Sequence, residues 1–269
     1  MSAAGSATLI VRPRARGPLT LVSDTLLLTG RNLKLALRTP QLLALASVTP
    51  VMFVLLFRYV FGGSIHIPGY SSYIDYLLPG IVVQTSLFGG SSSAVGVADD
   101  LTKGVTDRLR SLPTSRAAFL AARTFADLIR LAYTIALLVV VGMLVGFRFG
   151  GGPAPVAAGL AIALLFGYAC SWLFALLGLV VRHVESATMA GFLLTFPLVF
   201  ASSVFTAPAT FPGWLRAFAD AQPVTRVTDA LRALTHGGAA HGAVLPALIW
   251  SAGILAGAAT LATWRFRRL

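Results

Sequence analysis

VADDLTKGVTDRLRSLPTSRAAFLAARTFADLIR, residues 97–130, is the one long charged interval between two long apolar runs in this chain. Its surroundings make it decisive. Of 269 residues, 57% are hydrophobic and only 11% are charged, with a mean hydropathy of +0.82. A soluble domain carries about 25% charged residues. A chain this poor in charge cannot cover its own surface with polar groups in water, and a soluble core does not explain several long apolar runs in succession. The expected fold class is an all-α integral membrane protein, with 98–124 as its large water-exposed loop.

Working outward from that loop, six transmembrane helices are expected, at about 41–61, 74–97, 125–147, 156–181, 187–206 and 244–263. Each has roughly the twenty predominantly apolar residues that a bilayer requires. Pro50 should kink the first and Pro197 interrupts the fifth. Tyr59, Tyr70, Tyr73 and Tyr76 flank the short loop 62–73, as an aromatic belt at a membrane surface would. Residues 207–242 read as two short amphipathic helices separated by Pro223, with Phe211, Trp214, Leu215 and Phe218 on one face of the first. They are expected to dip into the outer leaflet as a re-entrant hairpin between spans five and six. Ahead of the spans, 1–17 reads as a basic cytoplasmic tail. With no apolar segment directly behind it, it is not expected to be a cleaved signal peptide. Residues 18–39 alternate leucines with Asp24, Arg31, Lys34 and Arg38, which predicts an amphipathic helix in the membrane interface. A soluble helix packed on the protein is the alternative.

The net charge of +12 sits at the flanks of apolar runs rather than on a polar domain, which argues for membrane orientation and against a nucleic-acid partner. Fifteen Arg and Lys residues fall on the side of the termini and the charged loop, and five on the opposite side. The expected location is a bacterial inner or plasma membrane, with both termini cytoplasmic. Cys170 is the single cysteine, so no disulfide framework or thiolate metal site forms within one chain. His66, His183, His236 and His241 show no ligand spacing, and no metal site is expected.

No GxxxxGK[ST] phosphate-cradling loop occurs, so no ATP site of that type is expected here. Asp75 and Asp127 lie near span ends, and no span carries a carboxylate near its middle. That argues against a self-sufficient proton-coupled carrier. Ser91, Ser92 and Ser93 have no histidine within a span to activate them, which leaves an intramembrane enzyme as a remote alternative with no catalytic residues. The small and hydroxylic residues from Gln84 to Ser93 suit either close helix packing or the wall of a polar pathway. Gln84, Thr85, Phe88 and Ser91, with the helically spaced Phe192, Phe196 and Phe200, are the candidate pathway residues. A phenylalanine stripe of this kind is usually packing, with a drug-contact surface as the alternative.

Energy is therefore expected from a partner, and the charged loop is the handle. Leu101, Val105, Leu109 and Leu112 fall on one helical face. Asp99 and Asp100 suit the N-terminus of that helix, and Pro113 ends it. Thr114 can cap a new helix running into span three. On that stem Arg123, Asp127 and Arg130 share a face and can pair. The result is a short lever held between spans two and three. A solvated loop with no partner is the alternative.

Asp100-Leu101, Gly104, Asp107-Arg108-Leu109-Arg110-Ser111-Leu112-Pro113, Arg116, Arg123 and Asp127 resemble the loop signature of type-2 ATP-binding-cassette (ABC) transporter permeases, especially daunorubicin-resistance-type exporters. Leu78-Pro79-Gly80-Ile81, Phe211-Pro212-Gly213-Trp214-Leu215, Pro223-Val224-Thr225 and Arg232 resemble the same family. Gln222 departs from it, since asparagine is common there. The resemblance implies a six-span permease that pairs with a second permease subunit, identical or not, and with separate cytoplasmic ATPase subunits. ATP and Mg would be bound by those ATPases, with no cofactor on this chain. It implies an ATPase-coupling helix built from Leu101, Lys103, Gly104, Val105, Asp107, Arg108, Leu109, Arg110, Leu112 and Pro113, and an export path lined by spans two and five. The implied cargo is amphipathic drugs, antibiotics or lipids. A polysaccharide or cell-wall polymer is the alternative on the same scaffold.

Overall fold

The computed structural model describes residues 40–65, 67–104, 116–238 and 241–268. The expected basic tail and interfacial helix, 1–39, lie outside the described residues. Among those described, the chain is helical, with no strand. Helix α1 is Pro40–Leu56 and continues as a π-helical turn at Phe57–Phe61. It is followed by α2 (Tyr73–Thr102), α3 (Arg116–Leu144), α4 (Pro153–Val181) and α5 (Val184–Phe200). Two short helices, α6 (Gly213–Ala221) and α7 (Pro223–His236), precede α8 (His241–Arg268). Four stretches are long and apolar enough to cross a membrane: Tyr73–Thr102, Phe119–Leu144, Pro153–Val181 and Gly242–Phe266. Ser47–Phe61 and Val184–Phe200 are apolar but shorter.

The bundle is built on α2 and α4, which share its most extensive contact. Glycine permits the close approach. A Cβ on Gly178 would run into the carbonyl of Ala94, and one on Gly90 would lie 2.9 Å from the backbone carbon of Cys170. Without an apolar gain between helices in lipid, this backbone proximity supplies the packing. The main core gathers Leu77, Ile81, Leu138, Phe166, Phe174 and Leu231, all buried. A second cluster, with Val97, Leu120, Trp172, Leu179 and Phe266, closes the end of the bundle that carries the charged loop. Cys170 is a buried packing residue, as its apolar context predicts.

Three expectations change. Asp99, Asp100 and Leu101 are not the start of a separate helix. They form the last turn of α2, which runs five residues past the expected end of span two, and Gly104 turns the chain at φ +66°. Two carboxylates oppose the dipole at a helix C-terminus, and each is compensated: Lys103 pairs with Asp99 at 2.6 Å and Arg123 pairs with Asp100.

The helix expected at 187–206 is Val184–Phe200 and ends six residues early. Beyond it Ser202, Ser203, Val204 and Phe205 are buried, with Ser203 against α7, Val204 against Gly80 of α2 and Phe205 against Phe57 and Phe53, so protein covers this run. The last helical bond runs from the Ala201 N–H to the Pro197 carbonyl, and the N–H of Ser203 instead donates to Thr225 Oγ1 at 3.2 Å.

Tyr73 and Tyr76 are core residues rather than an aromatic belt. Both are buried, and their hydroxyls donate to the carbonyls of Phe205 at 3.1 Å and Ser203 at 2.8 Å. Tyr59 is exposed.

Candidate functional site

A cavity of about 480 Å³ opens between α1, α2, α3 and α5. Of the pathway residues expected from the sequence, Gln84, Thr85 and Phe88 line it from α2, and Phe192, Phe196 and Phe200 line it from α5. Ser91 does not. Its hydroxyl donates to the Phe88 carbonyl at 2.7 Å, and its Cβ packs near Gly191. The α2 residues thus divide between the two readings, with Gly90 packing on α4 while Gln84, Thr85, Gly89 and Ser92 face the cavity. Thr49, Pro50 and Phe53 of α1 and Leu131 and Thr134 of α3 complete the wall. No local pattern marks these five, because they become one surface only when α1 and α3 meet α2.

The phenylalanines extend beyond a stripe on one helix. Phe192, Phe196, Phe200 and Phe205 follow one another at centroid distances of 5.1, 4.3 and 5.3 Å. Phe205 then stacks on Phe57 of the π turn at 4.8 Å, and Phe57 on Phe53 at 6.0 Å. The turn connects α5 to α1 through aromatic rings. Such pairs add about 0.5–1.5 kcal/mol each beyond their area.

The charged end of the cavity holds Asp127 and Arg130, expected as a pair on the stem. They do pair, at 2.8 Å, and both line the cavity. Ser93 donates its hydroxyl to the other oxygen of Asp127, and Arg130 donates to the Ser92 hydroxyl, which itself donates to the Gly89 carbonyl at 2.7 Å. Asp127 is 13% exposed, so an isolated carboxylate there would be costly; a closed network of opposite charges and hydroxyls makes the burial tolerable.

Arg123 does not join that network. It crosses to Asp100, with its guanidinium in the space that a side chain at Gly96 would fill. This clamp ties the end of α2 to the start of α3, on either side of the loop. Leu101, Lys103 and Gly104 are the described members of the expected coupling set: Leu101 packs against the second cluster, and Lys103 and Gly104 form the turn after α2. Val105, Asp107, Arg108, Leu109, Arg110, Leu112 and Pro113 lie outside the described residues.

At the opposite end a second cavity, of about 520 Å³, is lined by Tyr70, Tyr76, Asp229, Arg232 and His236 among others. Its basic group is already committed. Arg232 donates to the carbonyls of Tyr76, Ser203 and Val204 at 2.9, 2.7 and 3.1 Å and lies 3.5 Å over the Tyr76 ring. Burial raises the Tyr70 phenol above its ordinary pKa, against the lowering effect of Arg232, so that ring stays neutral there. These groups bind α7 to α2, and His236 Nε2 is left buried without a partner.

Residues 23–235 match the profile of the ABC-2 type transporter family. The chain is 35% identical over 237 residues to the daunorubicin resistance ABC transporter permease protein of Streptomyces coeruleorubidus, covering 88% of this chain and 83% of that protein. It is 26% identical over 234 residues to the probable doxorubicin resistance ABC transporter permease protein of Mycobacterium tuberculosis, covering 87% and 84%.

Proposed function

The chain belongs to the ABC-2 type transporter family, and we propose that it exports amphipathic drugs, antibiotics or lipids with energy from a separate ATPase subunit. It is a membrane permease, not an enzyme in its own right, and it is homologous to drug-resistance permeases. The observation that carries the cargo reading is the cavity between α1, α2, α3 and α5, with an aromatic wall and a charge-compensated polar end. An amphipathic molecule matches that division. A polysaccharide would need hydrogen-bonding groups where this wall presents phenylalanine.

In this reading six segments cross the bacterial inner membrane. The two shorter apolar helices are the first and fifth spans, and α6 and α7 form a re-entrant pair at the outer surface. Both termini and the loop face the cytoplasm, in keeping with the arginine bias. Two permease subunits, identical or different, assemble with two ATPases, which bind ATP and Mg. The loop docks into an ATPase through Val105, Leu109 and Leu112, with Leu101 anchoring its start on the bundle. Because Arg123 and Asp100 clamp α2 to α3, a displacement of the loop moves both cavity walls together. ATP hydrolysis then shifts the spans between inward-open and outward-open arrangements.

The test is Leu109→Asp. A charge at the centre of an apolar docking face should cost about 2 kcal/mol or more. Co-purification of the ATPase should fall by about tenfold or more, and ATP-dependent transport should fall with it, while the permease still inserts. Undiminished ATPase binding and transport would sink the docking assignment.

A further inference from the structure

We propose that Gln84 is the specificity-determining residue of the cavity, and that it selects a planar, largely apolar cargo carrying an N–H or O–H donor. This rests on the reading of that cavity as the cargo path.

Gln84 is 6% exposed, and its Oε1 is buried without a hydrogen-bond partner. A buried amide oxygen without a donor costs free energy that an apolar residue of the same shape would not. Among the described residues lining this cavity, it is the one with a buried side-chain polar atom left unpaired. The other polar groups of the wall differ from it: the hydroxyls of Thr49 and Thr85 are at least partly exposed and carry no buried unpaired atom, and the rest are hydrogen-bonded. Thr134, on the same cavity wall, donates its hydroxyl to the Arg130 carbonyl at 3.1 Å. Both oxygens of Asp127 are taken, by Ser93 and by Arg130. An arriving donor therefore gains most at Gln84, whose oxygen is the buried unpaired acceptor of this wall.

The shape of the site constrains the rest of the molecule. Gln84 and Ser92 are eight residues apart on α2, about 12 Å along the helix. Phe192 and Phe200 span the same length of α5. Their rings are inclined by only 33° and 30° from one to the next, which forms a long, shallow aromatic strip. A flat ring system can lie along it, and about 480 Å³ is within the range for a drug-sized ligand. The cargo's donor then meets Gln84 at one end of the strip, while the opposite end abuts the Asp127–Arg130 network.

The test uses the full chain with its ATPase partner in lipid nanodiscs and two probes, hydroxymethyl-anthraquinone and its methyl ether. Binding is measured by equilibrium dialysis against empty nanodiscs. The natural chain should bind the alcohol about tenfold more tightly than the ether. Gln84→Met should reduce that preference to less than about twofold, by weakening the alcohol and leaving the ether unchanged. The ratio of two ligands on one preparation does not depend on the fraction folded. A natural chain that binds neither probe, or binds both equally, overturns the proposal. So does a preference that survives Gln84→Met, which is the result expected if Gln84 only packs. Phe196→Ala separates the two levels of the argument. If it weakens both probes alike while Gln84→Met leaves the ratio intact, the cavity stands and the Gln84 assignment falls. If it changes neither probe, the cavity is not the cargo path and the proposed function fails with it.

Discussion

Arg232 is 5% exposed and makes its contacts to three separate pieces of chain: α2, the turn after α5, and Asp229 of its own helix. A planar guanidinium can serve several carbonyls at fixed angles and stack on a ring at once, which an ammonium cannot. Arg232→Ala leaves those carbonyls without a donor, and we expect a loss of roughly 3 kcal/mol, read as a lower unfolding temperature in detergent. Arg232→Lys should recover less than half of it. Gln222 is a smaller case of the same kind. It does not cap α7 with its side chain; its amide donates instead to the Ala201 carbonyl and holds the end of α5. Its Oε1 is left buried without a partner. Neither role shows in periodicity or spacing. Arg232 stood out in the sequence only through the family resemblance, because what a buried arginine bonds depends on the carbonyls that the fold presents to it.

Between elements, two contacts set how motion could pass through the bundle. The first is the clamp of α2 to α3. Asp100→Asn removes the charge facing Arg123, and Gly96→Val fills the guanidinium's seat. Either should lower cargo transport per ATP hydrolysed, by about threefold or more, while the ATPase still binds. Exchanging the two charges, Asp100→Arg with Arg123→Asp, should restore part of the loss, whereas a purely steric role for these residues predicts no recovery. The second is the glycine contact of α2 with α4. A methyl at Gly178 meets the Ala94 backbone, which cannot move aside as a side-chain tip can. Gly178→Ala should destabilise the chain by about 1–3 kcal/mol in a thermal unfolding series.

Element boundaries read from apolarity agree with the helix at α4, expected at 156–181 and observed at Pro153–Val181, whereas α3 begins at Arg116, nine residues before the apolar run expected at 125–147. They failed at 201–206, where the covering is α7, α2 and the π turn rather than lipid, because hydropathy does not distinguish the two. They failed also at Asp99 and Asp100, where carboxylates suited to a helix start are held at a helix end by Lys103 and Arg123.

Across the whole molecule, the all-helical membrane class and the paired short helices α6 and α7 were legible, since each rests on composition or helical period within one segment. Six of the seven residues singled out for a pathway line one cavity, and the Asp127–Arg130 pair forms at its edge. What was not legible is tertiary: that this pair and the phenylalanine stripe bound the same cavity, that the stripe continues through Phe205 onto Phe57 and Phe53, and that Tyr73 and Tyr76 face inward. An aromatic residue near a span end serves a membrane surface or a core equally well, and only the position of the neighbouring helices decides. The central claim is that the cargo moves through this chain and the energy enters through its loop from an ATPase. The direct measurement is uptake of hydroxymethyl-anthraquinone into inverted membrane vesicles containing the full chain, with and without its ATPase partner. The account predicts ATP-dependent uptake only when both are present, falling about tenfold or more with Leu109→Asp. Uptake by the permease alone, driven by a proton gradient and indifferent to ATP, would contradict it.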